Sequence, residues 1–268
     1  MNNAYAGIFR MRLIAGMQYR AAAWAGVATQ FFWGFMQLMV FAAFYRSSLA
    51  AAPMQFGHLA DYIWLRQAFL ALVMLWAQDQ ELLETIATGH VSYELCRPYR
   101  LYSFWFCRLL AVRLSNTALR CLPIMAITFL LPEPYRFHLP PGWEAAGLFA
   151  LSLGLAVLLV VTVSMFIYLL TFLTLSPNGS RLIIGVTGEF FMGAIIPIPF
   201  MPEWLQKAMD WLPFRYMADL PFRIYSGDIA GAAAWRNIGV QTLWIALLMP
   251  LGAFCFRRIT RRIVVQGG

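Results

Sequence analysis

Residues 148–175 read LFALSLGLAVLLVVTVSMFIYLLTFLTL, with no charged side chain and no proline. About 20 apolar residues suffice to cross a bilayer, so this run is longer than a span needs. It must tilt, kink near Gly154 or project beyond the membrane. The remainder of the chain has the same character. Hydrophobic residues make up 61% and charged residues 12%, about half the share usual in soluble proteins. Mean hydropathy is +0.66. A soluble domain of this size could not cover so much apolar surface. The expected fold class is therefore an all-α integral membrane protein, one bundle over residues 1–268.

Six spans are expected, at 22–45, 61–78, 106–131, 144–175, 181–199 and 237–256. Ahead of them, Tyr5, Phe9, Leu13 and Met17 recur every four residues, with Ile8 beside them and Arg10, Arg12 and Arg20 interrupting. Residues 4–20 suit an amphipathic helix in the inner interface, or a plain lead-in to the first span. No small-residue cleavage site follows at the right distance, so the segment reads as retained. Residues 46–60, with Pro53, Gly57 and His58, form a loop. PEPYRFHLPPG after span three is a rigid turn, and residues 176–180 form a tight loop. Arg66 lies one turn inside its span, where it can snorkel to headgroups. Beyond span five, Trp204, Ala208, Trp211 and Leu212 share one helical face, opposite Glu203, Gln206, Lys207 and Asp210. Pro213 and Pro221 stop any longer helix there, so short outer-leaflet helices are expected.

Charge sets the orientation. The formal net charge is +8, carried by arginine with one lysine, Lys207. In such a chain this points to the positive-inside rule and to anionic headgroups, not to nucleic acid. Arg10, Arg12 and Arg20, then Arg97, Arg100 and Arg108, then Arg181 and the RRITRR tail all fall on one side. On the other, Glu203, Asp210, Asp219 and Asp228 offset Lys207, Arg215, Arg223 and Arg236. Both termini are expected in the cytoplasm.

The long polar interruption, residues 79–108, stands between spans two and three. Asp79, Glu81 and Glu84 suit the positive end of a helix dipole. Leu82, Leu83, Ile86 and Ala87 take one helical face, and Glu81, Glu84, Thr85 and Thr88 the other. Gly89 can end the helix in a left-handed conformation. Such a helix is either a docking surface for a soluble partner or a folded loop. Within the spans, Arg113, Asn116 and Arg120 form a polar stripe, and Glu189 lies at comparable depth. Pairing Glu189 with Arg113 or Arg120 would neutralise two costly groups, either to fix packing or to gate. Gln30, Gly34 and Gln37 make a second stripe, suited to interhelical hydrogen bonds or to a translocation path. No Walker A, GxSxG or HExxH motif occurs. Cys96, Cys107, Cys121 and Cys255 show no metal or disulfide pattern. Asn178-Gly179-Ser180 matches a glycosylation acceptor but falls on the expected cytoplasmic side.

Two stretches carry a family resemblance. TGHVSYELCRPYRLYSFWFCR (88–108) and IIPIPFMPEWLQKAMDWLPFRYMADLPFRIYSGDI (195–229) resemble segments of ABC-2-type transporter permeases, exporter-like subunits with six spans. In the second stretch Pro197, Pro202, Trp204, Pro213, Phe214, Pro221, Tyr225 and Gly227 match. The resemblance implies that 79–89 is a coupling helix, with Glu81, Leu82, Leu83, Glu84, Ile86 and Gly89 docking a separate cytoplasmic ATPase. That ATPase would bind ATP and Mg, while this chain would bind no cofactor and catalyse nothing. It also implies a second permease, identical or related, and a hydrophobic or amphipathic cargo. An ion-gradient-driven transporter and a non-transporting scaffold are the alternatives.

Overall fold

The computed structural model describes residues 2–47 and 52–261. Residues 48–51 of the expected first loop, and Arg262 of the basic tail, lie outside the described residues. Every regular element described is helical. In chain order these are α1 (Asn2–Met17), α2 (Arg20–Ser47), α3 (Phe56–Ala68), α4 (Leu70–Val73), α5 (Gln80–Ala87) and α6 (Val91–Leu95). There follow α7 (Leu101–Phe129), α8 (Trp143–Thr174), α9 (Pro177–Phe191), α10 (Glu203–Asp210), α11 (Asp219–Tyr225) and α12 (Gly231–Thr260).

Among the described residues, four helices are long and apolar enough to cross a membrane: α2, α7, α8 and α12, of 28, 29, 32 and 30 residues. In α8, 67% of the most apolar window is buried, against 22%, 28% and 17% in α2, α7 and α12. The most apolar helix is thus the centre of the bundle, and the other three expose apolar flanks. Trp105, Tyr168, Phe172 and Phe256 pack together where α7, α8 and α12 meet.

The stretches expected as spans two and five are not single long helices. The 61–78 stretch divides into α3 and α4 at Phe69, and leaves helix at Met74, whose ψ is 136°. The 181–199 stretch starts earlier, because Ser176 caps α9 by accepting from the Gly179 amide and Pro177 fits its first turn. The expected 176–180 loop is therefore mostly the start of α9. That helix ends at Phe191, and Gly193 turns the chain with φ +79°.

At one end of the bundle the proline-rich loop is stapled down. Trp64 Nε1 donates to the Tyr135 carbonyl at 2.8 Å, and the His138 amide donates to Asp61 at 2.7 Å. The segment after α9 also differs from expectation. Trp204 and Trp211 of the α10 region are 71% and 83% exposed, but α11 is buried against α3 and α8 rather than lying on the outside. Its Asp219 is fully buried, 3.5 Å from both Arg215 and Arg223. From the opposite end α1 packs lengthwise along α7 as far as Ser115, instead of lying across the inner interface as expected. The Arg100 amide donates to the Tyr5 hydroxyl at 3.0 Å, and a Cβ on Gly16 would stand 2.1 Å from Ser115 Oγ.

Candidate functional site

Helix unwinding strands backbone donors and acceptors, and in apolar surroundings each one needs a partner. The break after α4 shows where those partners come from. Arg113, on α7, donates to the Leu72 carbonyl at 3.1 Å and to the Met74 carbonyl at 2.7 Å. Its other nitrogen donates to Ser164 Oγ of α8 at 3.0 Å. Glu189, on α9, accepts from the Leu75 amide at 2.6 Å. Gln78 donates to the Leu75 carbonyl at 2.7 Å, and the Tyr168 hydroxyl accepts from the Asp79 amide at 2.9 Å. Arg113, Ser164, Tyr168 and Gln78 are all buried. By helix rise, Arg113, Ser164 and Glu189 lie roughly 15–18 Å from the start of α7, the finish of α8 and the start of α9, so the three helices offer them at one level.

This arrangement corrects the expected pairing. Among the described residues Glu189 makes no ion pair, with Arg113 or with Arg120. Both charges serve the same unwound backbone instead. Arg120 is half-buried elsewhere, with its guanidinium over Gly26 of α2, where a Cβ would come within 2.8 Å. Asn116 is half-buried on α7 between them.

The broken segment leads directly into α5. Asp79 caps that helix by accepting from the Leu82 amide at 3.4 Å. The same carboxylate holds buried Arg108 through two bonds of 2.7 and 2.9 Å. Arg108 also donates to Glu81 at 2.5 Å, and Arg12 of α1 donates to Glu81 at 3.0 Å. The hydrogen bond from Arg108, helped by Arg12, holds the Glu81 carboxyl below its ordinary range. Leu82, Leu83 and Ile86 are 0–3% exposed, turned inward toward α8 and α9. They are therefore packed in their own chain and present nothing to a partner. The residues left outward are Gln80, Glu81, Glu84, Ala87 and Thr88. Of the two acids expected to be free, only Glu84 lacks an ion-pair partner among the described residues. Gly89 stands just beyond, with φ +76° and its amide donating to the Ile86 carbonyl at 3.2 Å.

The Gln30–Gly34–Gln37 stripe faces α3 rather than an open wall. A Cβ on Gly34 would stand 2.6 Å from the Trp64 ring. Gln37 accepts from Arg66 at 2.7 Å, and Gln30 is 5% exposed. Arg66 does not snorkel: it is 6% exposed, and its guanidinium also donates to the Ala194 carbonyl after α9. Sequence reasoning missed Ser164, Gln78 and Tyr168. An isolated serine or tyrosine in an apolar run carries no sign that it faces a broken neighbour.

No protein-family model matches the chain, and no curated protein matches it by sequence.

Proposed function

We propose that this chain is the membrane-spanning permease subunit of an ATP-driven transporter of the ABC-2 type. In this reading α3–α4 with residues 74–78 makes the second crossing and α9 with its following turns the fifth, giving six. Both termini face the cytoplasm of a bacterium whose inner membrane holds the chain. A separate ATPase binds ATP and Mg, and a second permease, identical or related, completes a path for a hydrophobic or amphipathic cargo. This chain catalyses nothing.

The observation that carries the reading is the junction at Asp79. One carboxylate caps α5 and locks Arg108 of α7, and its own amide is bound by α8. A push on the outward face of α5 is thereby delivered to α7, α8 and the clamped break, and through Glu189 to α9. This is the connection a coupling helix needs.

The test uses the face that the fold leaves outward. Glu84→Lys with Thr88→Lys changes exposed side chains only, so insertion and thermal stability should be unchanged. ATP hydrolysis recovered with the affinity-purified chain from its native membrane should fall. Each exposed pair contributes only about 0.2–1 kcal/mol, so the double change is the informative one. Unchanged recovery in correctly inserted protein overturns the docking role of α5.

One feature favours an ion-gradient-driven transporter: irregular backbone beside the Glu189 carboxylate. Purified chain alone in liposomes, under an imposed proton gradient, separates the two readings. Glu189-dependent proton flux in the absence of any ATPase supports the gradient-driven one.

A further inference from the structure

A cavity of about 290 Å³ opens at the end of the bundle that carries α5, between the start of α7 and the last turns of α12. Arg100 and Arg257 stand on its walls with Ser103 and Thr260, whose hydroxyl donates back to the Phe256 carbonyl at 2.9 Å. Among the described residues neither arginine takes part in an ion pair. Arg257 Nε donates at 3.3 Å to the Ala253 carbonyl of its own helix, and the Arg100 amide is anchored on Tyr5. Tyr102 lines the cavity and is 8% exposed, yet its buried hydroxyl has no hydrogen-bond partner. That hydroxyl packs beside Gly252 of α12, where a Cβ would stand 3.3 Å from it, so the phenol ring forms a wall of the cavity and its oxygen lies behind. Glu94 also lines the cavity, but its carboxylate accepts from Trp105 Nε1 at 2.5 Å and is held against the indole.

The position of the cavity indicates what fills it. Phe256, on its floor, is the last apolar residue of α12 before Arg257 and Arg258. The same aromatic cluster holds Phe172, close to the end of the apolar run of α8. The cavity thus lies where the apolar surface stops. On the apolar side α12 exposes Leu243, Leu247, Leu251 and Phe254. Two guanidinium groups suit a phosphate, and the exposed flank of α12 next to Arg257 suits acyl chains.

We propose that this cavity binds the phosphate headgroup of an anionic phospholipid, with its chains along α12. Arg100 and Arg257 supply the charge that holds the phosphate oxygens. The proposal needs only that the chain sit in a membrane and stands apart from any ATPase partner.

Delipidated full chain in detergent is titrated with dioleoyl phosphatidylglycerol, dioleoyl phosphatidylcholine or inorganic phosphate. Thermal unfolding and retained lipid mass are read. Phosphatidylglycerol should raise the melting temperature and stay bound, and the other two should not. Arg100→Gln and Arg257→Gln should each weaken retention about fivefold, from about 1 kcal/mol per basic residue at an anionic surface. Should a glutamine variant fail to fold, the matching Arg→Lys change keeps the charge and should keep the lipid. Equal retention of the two lipids overturns the proposal, as does equal retention by wild type and both glutamine variants. Stabilisation by inorganic phosphate equal to that by phosphatidylglycerol overturns the lipid assignment in favour of a free-anion site.

Discussion

Arg113 and Glu189 hold opposite polarities of one unwound stretch, carbonyls to the arginine and an amide to the carboxylate. Each satisfies backbone that would otherwise cost about 1–3 kcal/mol per unmet group. What matters at Glu189 is therefore an acceptor in the right place more than a negative charge. Glu189→Gln keeps an amide oxygen for the Leu75 amide and should shift thermal stability little. Glu189→Leu removes the acceptor and should cost about 1–3 kcal/mol. Arg113→Met frees two carbonyls and Ser164 together, so its loss should exceed that of Glu189→Leu. Thermal unfolding of the purified variants in one detergent checks the order. Equal losses for the Gln and Leu variants would mean that the charge itself is what the bundle needs. The similar depths of Arg113 and Glu189 were legible from their places in apolar runs. Their true partner was not, because it exists only if residues 74–78 leave the helix.

That break shows where local pattern ends and tertiary structure begins. Residues 69–76 read FLALVMLW, with no glycine or proline to mark a stop, and Trp76 continues the apolar run. What stabilises the departure from helix lies 39–114 residues away in the chain, on α7 and α9. Where the stabilising groups are local, the sequence is readable: Asp79 caps α5 and Gly89 follows its end, as their residue types imply. Asp79 has two duties that substitution can separate. Asp79→Asn keeps a side-chain acceptor for the cap but loses the charge opposite Arg108. Asp79→Ala loses both the cap, about 0.5–2 kcal/mol, and the partner of a buried arginine, about 3–5 kcal/mol. Amide hydrogen exchange of α5 should rise in both variants, more in Ala. Equal exchange in wild type and Ala would mean that α5 is held by its apolar face alone. Helix contact gives a second contrast. Gly34→Ala would drive a Cβ into the Trp64 ring and should destabilise by about 1–3 kcal/mol. Gly239→Ala on α12 meets nothing within 4 Å and should be neutral or stabilising by up to about 1 kcal/mol. A matched pair of melting curves decides, and equal shifts would mean that α2 and α3 do not pack this closely.

Over the whole molecule the charges are sorted by end. The contacts of Tyr5 with Arg100, and the cavity shared by Arg100 and Arg257, put the starts of α1 and α7 and the finish of α12 together. Arg10, Arg12, Arg97, Arg100, Arg257 and Arg258 crowd that end, where Asp79, Glu81, Glu84 and Glu94 are the acids. At the opposite end Asp61, Glu133, Glu144, Asp210, Asp219 and Asp228 match the basic residues more evenly. Positive charge resists transfer across a membrane, so the arginine-rich end should remain in the cytoplasm. Cys96 is an exposed free thiol at that end, and Leu139 is 72% exposed in the stapled loop at the other. In a background with the other three cysteines replaced, a membrane-impermeant maleimide should leave Cys96 unlabelled in intact cells and label it after permeabilisation. Leu139→Cys, in a background lacking Cys96 as well, should label without permeabilisation. The reverse pattern would place α5 outside the cell, where no cytoplasmic ATPase could reach Glu84, and would end the permease reading along with the topology.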